Sequence, residues 1–546
     1  MQKLPKVEIT TDVLVIGGGA AGLMAALEAK RAGLDVTIVS KSKVGKSGNT
    51  IVSGTGMAML LPDPHTEDSA EIFRNDTLAS GKQVNDRKLV DQFVTGTTKL
   101  VDRLTQYGVA FKRLDGKLMK KRAPGHSVAR SLTSDFSKLP FLTRGLSLAL
   151  PLLNSAQKAG IRIIDFSSVI KLLCAEGRMC GAVAIQKKTQ TLVVFHAGAV
   201  ILASGGGGSV YSRSNNTWDV TGDSYGLAFE AGATLRDMEF VQFYPTMMFS
   251  PIKVTISSPL FGEGAFLRNA DDERFMERYD PAADMATRDI MTRAIFSEVM
   301  AGRGRKGCVY MDCRHLDKRV LDTKFAELVK LLKKVNIDPS RDLIPISPAT
   351  HFFMGGLAVN KECETTVSGL FACGESVGGL HGANRLSGNA LSETFVFGTI
   401  AGRCAAQRHP LRLKPPLPAF EVFPLQQGDI SLVELKKSLK KTAWKCLSIV
   451  RNQQFGEKAC DELRQISDSL KHTRVNSIHE LVSLYELNHM ITTAEMIIRG
   501  ALSRKESRGA HFRSDYPEPN DSKFKGNFFY RNRKGEIELE FRPVGD

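Results

Sequence analysis

The nine cysteines of this 546-residue chain, at 174, 180, 308, 313, 363, 373, 404, 446 and 460, include no Cys-x-x-Cys pair. Iron–sulfur or structural zinc ligation therefore has no scaffold, and reduced thiols are the simple reading. Any electron relay beyond an organic cofactor is expected in a separate chain. Nowhere do about eighteen apolar residues run together, so no spanning helix is expected. The segment MQKLPKVEITTD ahead of the first apolar run carries no hydrophobic stretch. A Sec-type signal peptide is therefore not expected. The expected location is cytoplasmic, extending to the cytoplasmic face of a membrane through a partner. Low-complexity tracts are absent too. The net charge of +16 is spread along the chain, densest between Lys436 and Lys445, and no aromatic-interleaved groove motif accompanies it. Nucleic acid is therefore not the expected partner; a solvated helix face, or a dock for an acidic protein or membrane surface, is.

What is present begins at residues 12–22, DVLVIGGGAAG. An apolar run, Val13 to Ile16, meets Gly17, Gly18, Gly19 and Gly22, and an alanine-rich helical pattern follows through Ala20 and Ala21. A second strand, Val36 to Val39, comes about twenty residues later, as in a unit that binds the diphosphate of a dinucleotide. Gly17 permits the turn, Gly19 lets backbone approach phosphate, and Gly22 lets helix pack on sheet. The helix N-terminus supplies free N–H donors.

The length calls for two or three domains. Residues 1–236 read as the first part of a Rossmann-like α/β domain, 237–350 as an inserted α+β capping domain, and 351–412 as the return to the first domain. Residues 413–503 read as helical and 504–546 as a polar tail with strands. Short strands are expected at 181–186 and 191–195, and another at 200–204 running into Gly205–Gly208. At the return, eight glycines fall from Gly355 through Gly388, with His351, Glu375, His381, Asn384, Arg385 and Asn389 among and beside them. That density exceeds what turns require and points to close backbone contact with something flat or phosphorylated.

These features come with Gly262-Glu263-Gly264, Leu267-Arg268-Asn269, Arg274-Phe275-Met276, Thr287-Arg288-Asp289 and Met354-Gly355-Gly356. His381-Gly382-Ala383-Asn384-Arg385-Leu386 and Ser507-Arg508-Gly509-Ala510-His511 complete the set. With them the chain resembles, essentially end to end, the flavoprotein subunits of succinate dehydrogenase and fumarate reductase, with L-aspartate oxidase and adenylylsulfate reductase as relatives. The resemblance implies FAD and hydride exchange across the C2–C3 bond of a dicarboxylate. It places the cofactor over Gly17–Gly22, Ser40, Lys41, Ser47, Gly48, Asn49, Thr50, Gly54 and Thr55. It adds Val169, Ala203, Ser204, Gly205 and Asp223, and then Glu375, Arg385, Asn389 and Leu391. It implies that Arg288 moves the proton, with Asp289 as a candidate relay, and that His351 and Arg385 hold substrate carboxylates. A guanidinium suits that task because its rigid fork pairs bidentately.

Three departures from the family pattern bear on function. Asn49 stands where covalent-flavin members carry histidine, so noncovalent FAD is expected. Tyr244 replaces a carboxylate-binding histidine, and Ser257 and Ser258 stand where the family has a Thr-Glu pair. Together these loosen the grip on one end of a C4 dicarboxylate, and the substrate is expected to be a fumarate-like unsaturated carboxylate or its saturated product. His126, in a loop similar to one in the aspartate oxidases, is a further candidate to face flavin and substrate. Aspartate-oxidase-like oxidation of an amino acid stays open. So does a flavin-bearing electron-transfer role within a complex that holds an iron–sulfur or quinone-linked chain.

Overall fold

The computed structural model describes residues 4–61, 67–256, 259–408, 417–423 and 426–545. The largest sheet has seven strands. Arg162–Ile164, Val36–Val39, Lys6–Ile16 and Thr191–Leu202 lie side by side and parallel. Val13 to Val15 and Ala199 to Leu202, at the centre of this sheet, are fully buried.

Thr191–Leu202 is one twelve-residue strand, where the sequence suggests two. His196 to Gly198 reads as a break, but the strand stays paired to Lys6–Ile16 from Lys6↔Leu192 to Ile16↔Leu202. The other edge of this strand is shared. Its first half pairs antiparallel with Arg178–Gln186, and Val200 to Leu202 pair parallel with Leu370–Ala372. Ser167–Ala175 closes that side of the sheet against Arg178–Gln186.

Helix Ala20–Lys30 is buried from Ala20 through Ala29 because it lies between this sheet and helix Asn389–Arg408. The two helices meet backbone to backbone. A Cβ added at Gly402 would sit 2.1 Å from the Ala25 carbonyl oxygen, and one at Gly398 would sit 2.9 Å from that of Ala21. Small residues on both helices are what permit this approach.

A second core forms around a five-stranded antiparallel sheet in the order Val254–Thr255, Val241–Met248, Ile344–Phe353, Val309–Asp312, Phe266–Arg268. Met248, Leu267, Met311, Ile344 and Ile346 belong to it, as do Met291, Ala294 and Ile295 of helix Arg288–Met300. Strand Ile344–Phe353 begins in this second core and ends in the first, where Phe353 packs. The architecture is thus a Rossmann-like α/β domain with a capping β-sheet and a C-terminal helical region, as the sequence leads one to expect.

That helical region comprises Leu432–Leu447, Gln453–Ser469 and the 26-residue helix Ile478–Ser503. The chain then returns as a hairpin, Gly526–Arg533 and Glu536–Pro543, paired to Leu235–Arg236. A buried ionic network secures the return. Arg504 donates to Glu239 at 2.8 Å and to Glu506 at 3.0 Å, Arg508 donates to Glu506 at 2.8 Å, and the Tyr530 hydroxyl donates to Glu239 at 2.8 Å. Among the described residues, no helix is long and apolar enough to cross a membrane.

Candidate active site

A cleft of about 470 Å³ opens at the C-terminal ends of the parallel strands. Its floor is the loop Gly17 to Ala21, where the chain leaves its first strand for helix Ala20–Lys30. Gly17 has φ +121°, and a Cβ there would lie 2.2 Å from the Ala203 carbonyl oxygen. The loop therefore rests directly on Ala203 to Gly205, which also line the cleft. The Ala20 amide donates to Thr50 Oγ1 at 3.1 Å, fastening the helix start to the Ser47–Thr50 segment. Gly22 lies below the surface, where an added Cβ would be 2.0 Å from the Gly17 carbonyl oxygen.

At one end, Ser40, Lys41, Val169 and Asp223 line the wall. Lys41 Nζ forms ion pairs with Asp223 at 2.7 Å and Glu486 at 3.1 Å, and His489 Nδ1 lies 3.3 Å from Asp223. Burial works against the Lys41 charge, but the two carboxylates outweigh it and raise the ammonium above its usual range. Burial likewise disfavours the Asp223 charge, yet Lys41 and His489 hold that carboxyl well below the ordinary range. The Ser168 hydroxyl, on the same wall, has no hydrogen-bond partner among the described residues.

Further along, Ser47, Gly48, Asn49, Thr50, Gly54 and Thr55 face Glu375 and Leu391 across the cleft. Asn49 Nδ2 donates to Asn216 Oδ1 at 3.0 Å and to Glu375 Oε2 at 3.2 Å, and its Oδ1 accepts from the Thr217 amide at 3.2 Å. Glu375 Oε1 accepts from the Phe353 amide at 3.1 Å. Burial outweighs both hydrogen bonds and pushes the Glu375 carboxyl up to about 7.

The same hydrogen-bond chain reaches His351. Asn216 Nδ2 donates to Asn215 Oδ1 at 3.1 Å, and Asn215 meets His351 Nδ1 with both ends of its amide, Nδ2 at 2.9 Å and Oδ1 at 3.2 Å. Burial, then the charges of Arg385 and Arg288, hold His351 well below its usual range, so the imidazole is neutral. Arg385 Nη2 donates to Gln242 Oε1 at 2.8 Å, while its buried Nε has no partner among the described residues. Burial and the Arg288 charge pull Arg385 down to about 10. Arg288 has no hydrogen bond or ion pair among the described residues, and its guanidinium lies 5.2 Å from the centre of the Tyr244 ring. Tyr244 in turn lies 5.6 Å from the His351 ring, centre to centre.

Some expected residues lie elsewhere. His126 is buried away from the cleft lining, with Nε2 2.6 Å from the Ser387 carbonyl oxygen and Nδ1 2.9 Å from Arg130. Both ring nitrogens are thereby committed to the protein. Asn389 is also buried behind the wall, donating to Thr77 Oγ1 at 3.2 Å. Asp289 turns toward Thr287 and Arg293, at 2.7 and 3.1 Å, and forms no bond to Arg288. Ser257 and Ser258 lie outside the described residues. Sequence reasoning missed Asn215, Asn216 and Arg144, all of which line the cleft. The adjacent amides just beyond Gly205–Gly208 were a usable signal; Arg144 had none.

A family profile described as "FAD binding domain" matches residues 12–391, and one described as "Fumarate reductase flavoprotein C-term" matches 436–546. The chain belongs to the succinate dehydrogenase and fumarate reductase flavoprotein family. One component of the fumarate reductase (CoM/CoB) of Methanothermobacter marburgensis is 36% identical, over 93% of this chain and 94% of that one. An uncharacterized FAD-dependent oxidoreductase of Methanocaldococcus jannaschii is also 36% identical, over 96% and 97%. The solved quinol fumarate reductase flavoprotein of Escherichia coli superposes with a TM-score of 0.88 at 29% identity, covering 98% of this chain and 97% of that one.

As a member of this family the chain is an FAD-dependent oxidoreductase, and its cleft fits the cofactor. Gly17 and Gly19 keep the floor free of side chains where a helix begins, as a diphosphate requires. The Ser168 and Thr55 hydroxyls on the walls, unpartnered among the described residues, are suited to a polar, elongated ligand.

Proposed function

We propose that the chain catalyses reversible reduction of a fumarate-like unsaturated carboxylate with noncovalent FAD. The observation that carries this reading is the convergence of Arg288, His351 and Arg385 on the cleft whose floor is the dinucleotide loop. Bound FAD supplies the two-electron chemistry. Neutral His351, in the tautomer whose Nδ1 accepts from Asn215 Nδ2, would offer its Nε2 proton to a carboxylate oxygen, and Arg385 would offer Nε, unpaired among the described residues, as a charge-assisted donor. The two would orient the substrate and polarise its double bond. Arg288, with no side-chain hydrogen bond or ion pair among the described residues, would supply the proton to the double bond.

Asn49 supports noncovalent attachment. Its amide is engaged by Asn216, Glu375 and Thr217, and an amide offers no imidazole nitrogen for a histidyl–flavin bond. Acid precipitation should leave the yellow colour in the supernatant; colour in the pellet overturns this point. Similarity to components of fumarate reductases supports a separate iron–sulfur or quinone-linked partner chain. The test of function is anaerobic titration of photoreduced protein. Reoxidation by fumarate or a larger enoate at a catalytic rate is expected, and indifference to all of them refutes the proposal.

A further inference from the structure

We infer that Arg144 is a substrate-binding residue that grips a second anionic group on the Tyr244 side of the cleft. The inference rests on the enoate reading above and deepens it. Arg144 lies in the turn between Phe141–Thr143 and helix Leu146–Lys158, and it lines the same cleft as Arg288, His351 and Arg385.

Its position is fixed by its neighbour. The Gly145 amide donates to the Ile51 carbonyl at 3.1 Å, and a Cβ on Gly145 would lie 1.8 Å from the Thr50 carbonyl oxygen. The turn is therefore clamped onto the short helix Asn49–Val52 at the cleft wall. From there Arg144 Nη2 reaches to 3.8 Å from where a Gly54 Cβ would stand.

The guanidinium has little to do within the protein. Nη1 donates to the Phe141 carbonyl at 3.0 Å, and the group stacks 4.3 Å from the Phe141 ring centre. Among the described residues it has no carboxylate partner. A guanidinium carries five N–H donors, so most remain unused. A half-buried cation without a counter-charge is unfavourable, and an anionic ligand in the cleft removes that penalty.

Its location complements that of the other cations. Arg288 and Arg385 act on His351, Arg288 also stands 5.2 Å from the Tyr244 ring centre, and Arg144 feels the same Tyr244. A tyrosine supplies no cation of its own, so Arg144 joins Arg288 in offering positive charge on this side of the cleft. Three guanidiniums lining one cleft, those of Arg144, Arg288 and Arg385, suit an alkene that carries more than one anionic group.

The test is equilibrium titration of the oxidised flavoprotein, followed by the flavin absorbance difference spectrum. The probes are fumarate and glutaconate as dianions and crotonate as a monoanion. The ratio of dianion to monoanion affinity should fall about tenfold or more in R144Q and recover in part in R144K. An unchanged ratio in an R144Q protein with a native flavin spectrum overturns the inference. Loss of flavin in both R144Q and R144K also overturns it, since it assigns the residue a structural role. If no carboxylate perturbs the flavin of the unsubstituted protein, the enoate reading falls, and this inference with it.

Discussion

Replacing Glu375 by Gln should change how the stability of the flavin-free protein depends on pH. The carboxyl is buried at the meeting of Asn49 and the Phe353 amide, and its ionisation is displaced upward to about 7 from a reference of 4.5. Because the folded value lies above the unfolded one, the folded state binds the proton more tightly. Stability is then greatest below the unfolded value, falls as pH rises, and stops falling once the folded value is passed. Each unit of displacement corresponds to about 1.4 kcal/mol, so the full effect is roughly 3 kcal/mol. Glutamine cannot ionise and removes the slope. The advantage of E375Q over the unsubstituted chain, measured by urea titration, should therefore grow by roughly 2–3 kcal/mol between about pH 5 and about pH 8. A difference that stays flat across that window refutes the reasoning.

Three other outcomes follow from the same structure. R288Q should lower turnover by about a hundredfold or more while flavin stays bound, as read by steady-state rates and absorbance; near-normal turnover removes Arg288 from the chemistry. E506A removes the carboxylate that Arg504 and Arg508 share, leaving them Glu239 and Asp521 respectively, and should destabilise the protein by about 3 kcal/mol, measured in urea; a loss below about 1 kcal/mol contradicts the network's role. G402V pushes a side chain onto the Ala25 carbonyl and should part the two helices, with loss of soluble holoprotein; a native melting profile argues against that packing.

The first strand, glycine turn and helix are legible in the sequence because local rules decide them: apolar run, tight turn, alanine-rich helix. Their partner at Gly398 and Gly402 is less so, since only the fold shows that those glycines meet Ala21 and Ala25. The break expected near His196 is absent because pairing along Lys6–Ile16 overrides weak local preference. His126 shows the limit of motif similarity. The loop suggests a ring facing the cofactor, but Arg130 and the Ser387 carbonyl occupy both nitrogens. Arg144 is illegible for the opposite reason: nothing local marks it, and only the clamp of Gly145 on Thr50 brings it to the cleft.

Arg288 begins a helix rooted in the second hydrophobic core, while Arg385 sits in the glycine-rich return that packs with the first. No single rigid element sets the gap between the two guanidiniums. That gap depends on how closely the cap seats on the nucleotide domain, so a substitution far from the cleft that tilts the cap would alter catalysis without touching any residue that contacts substrate.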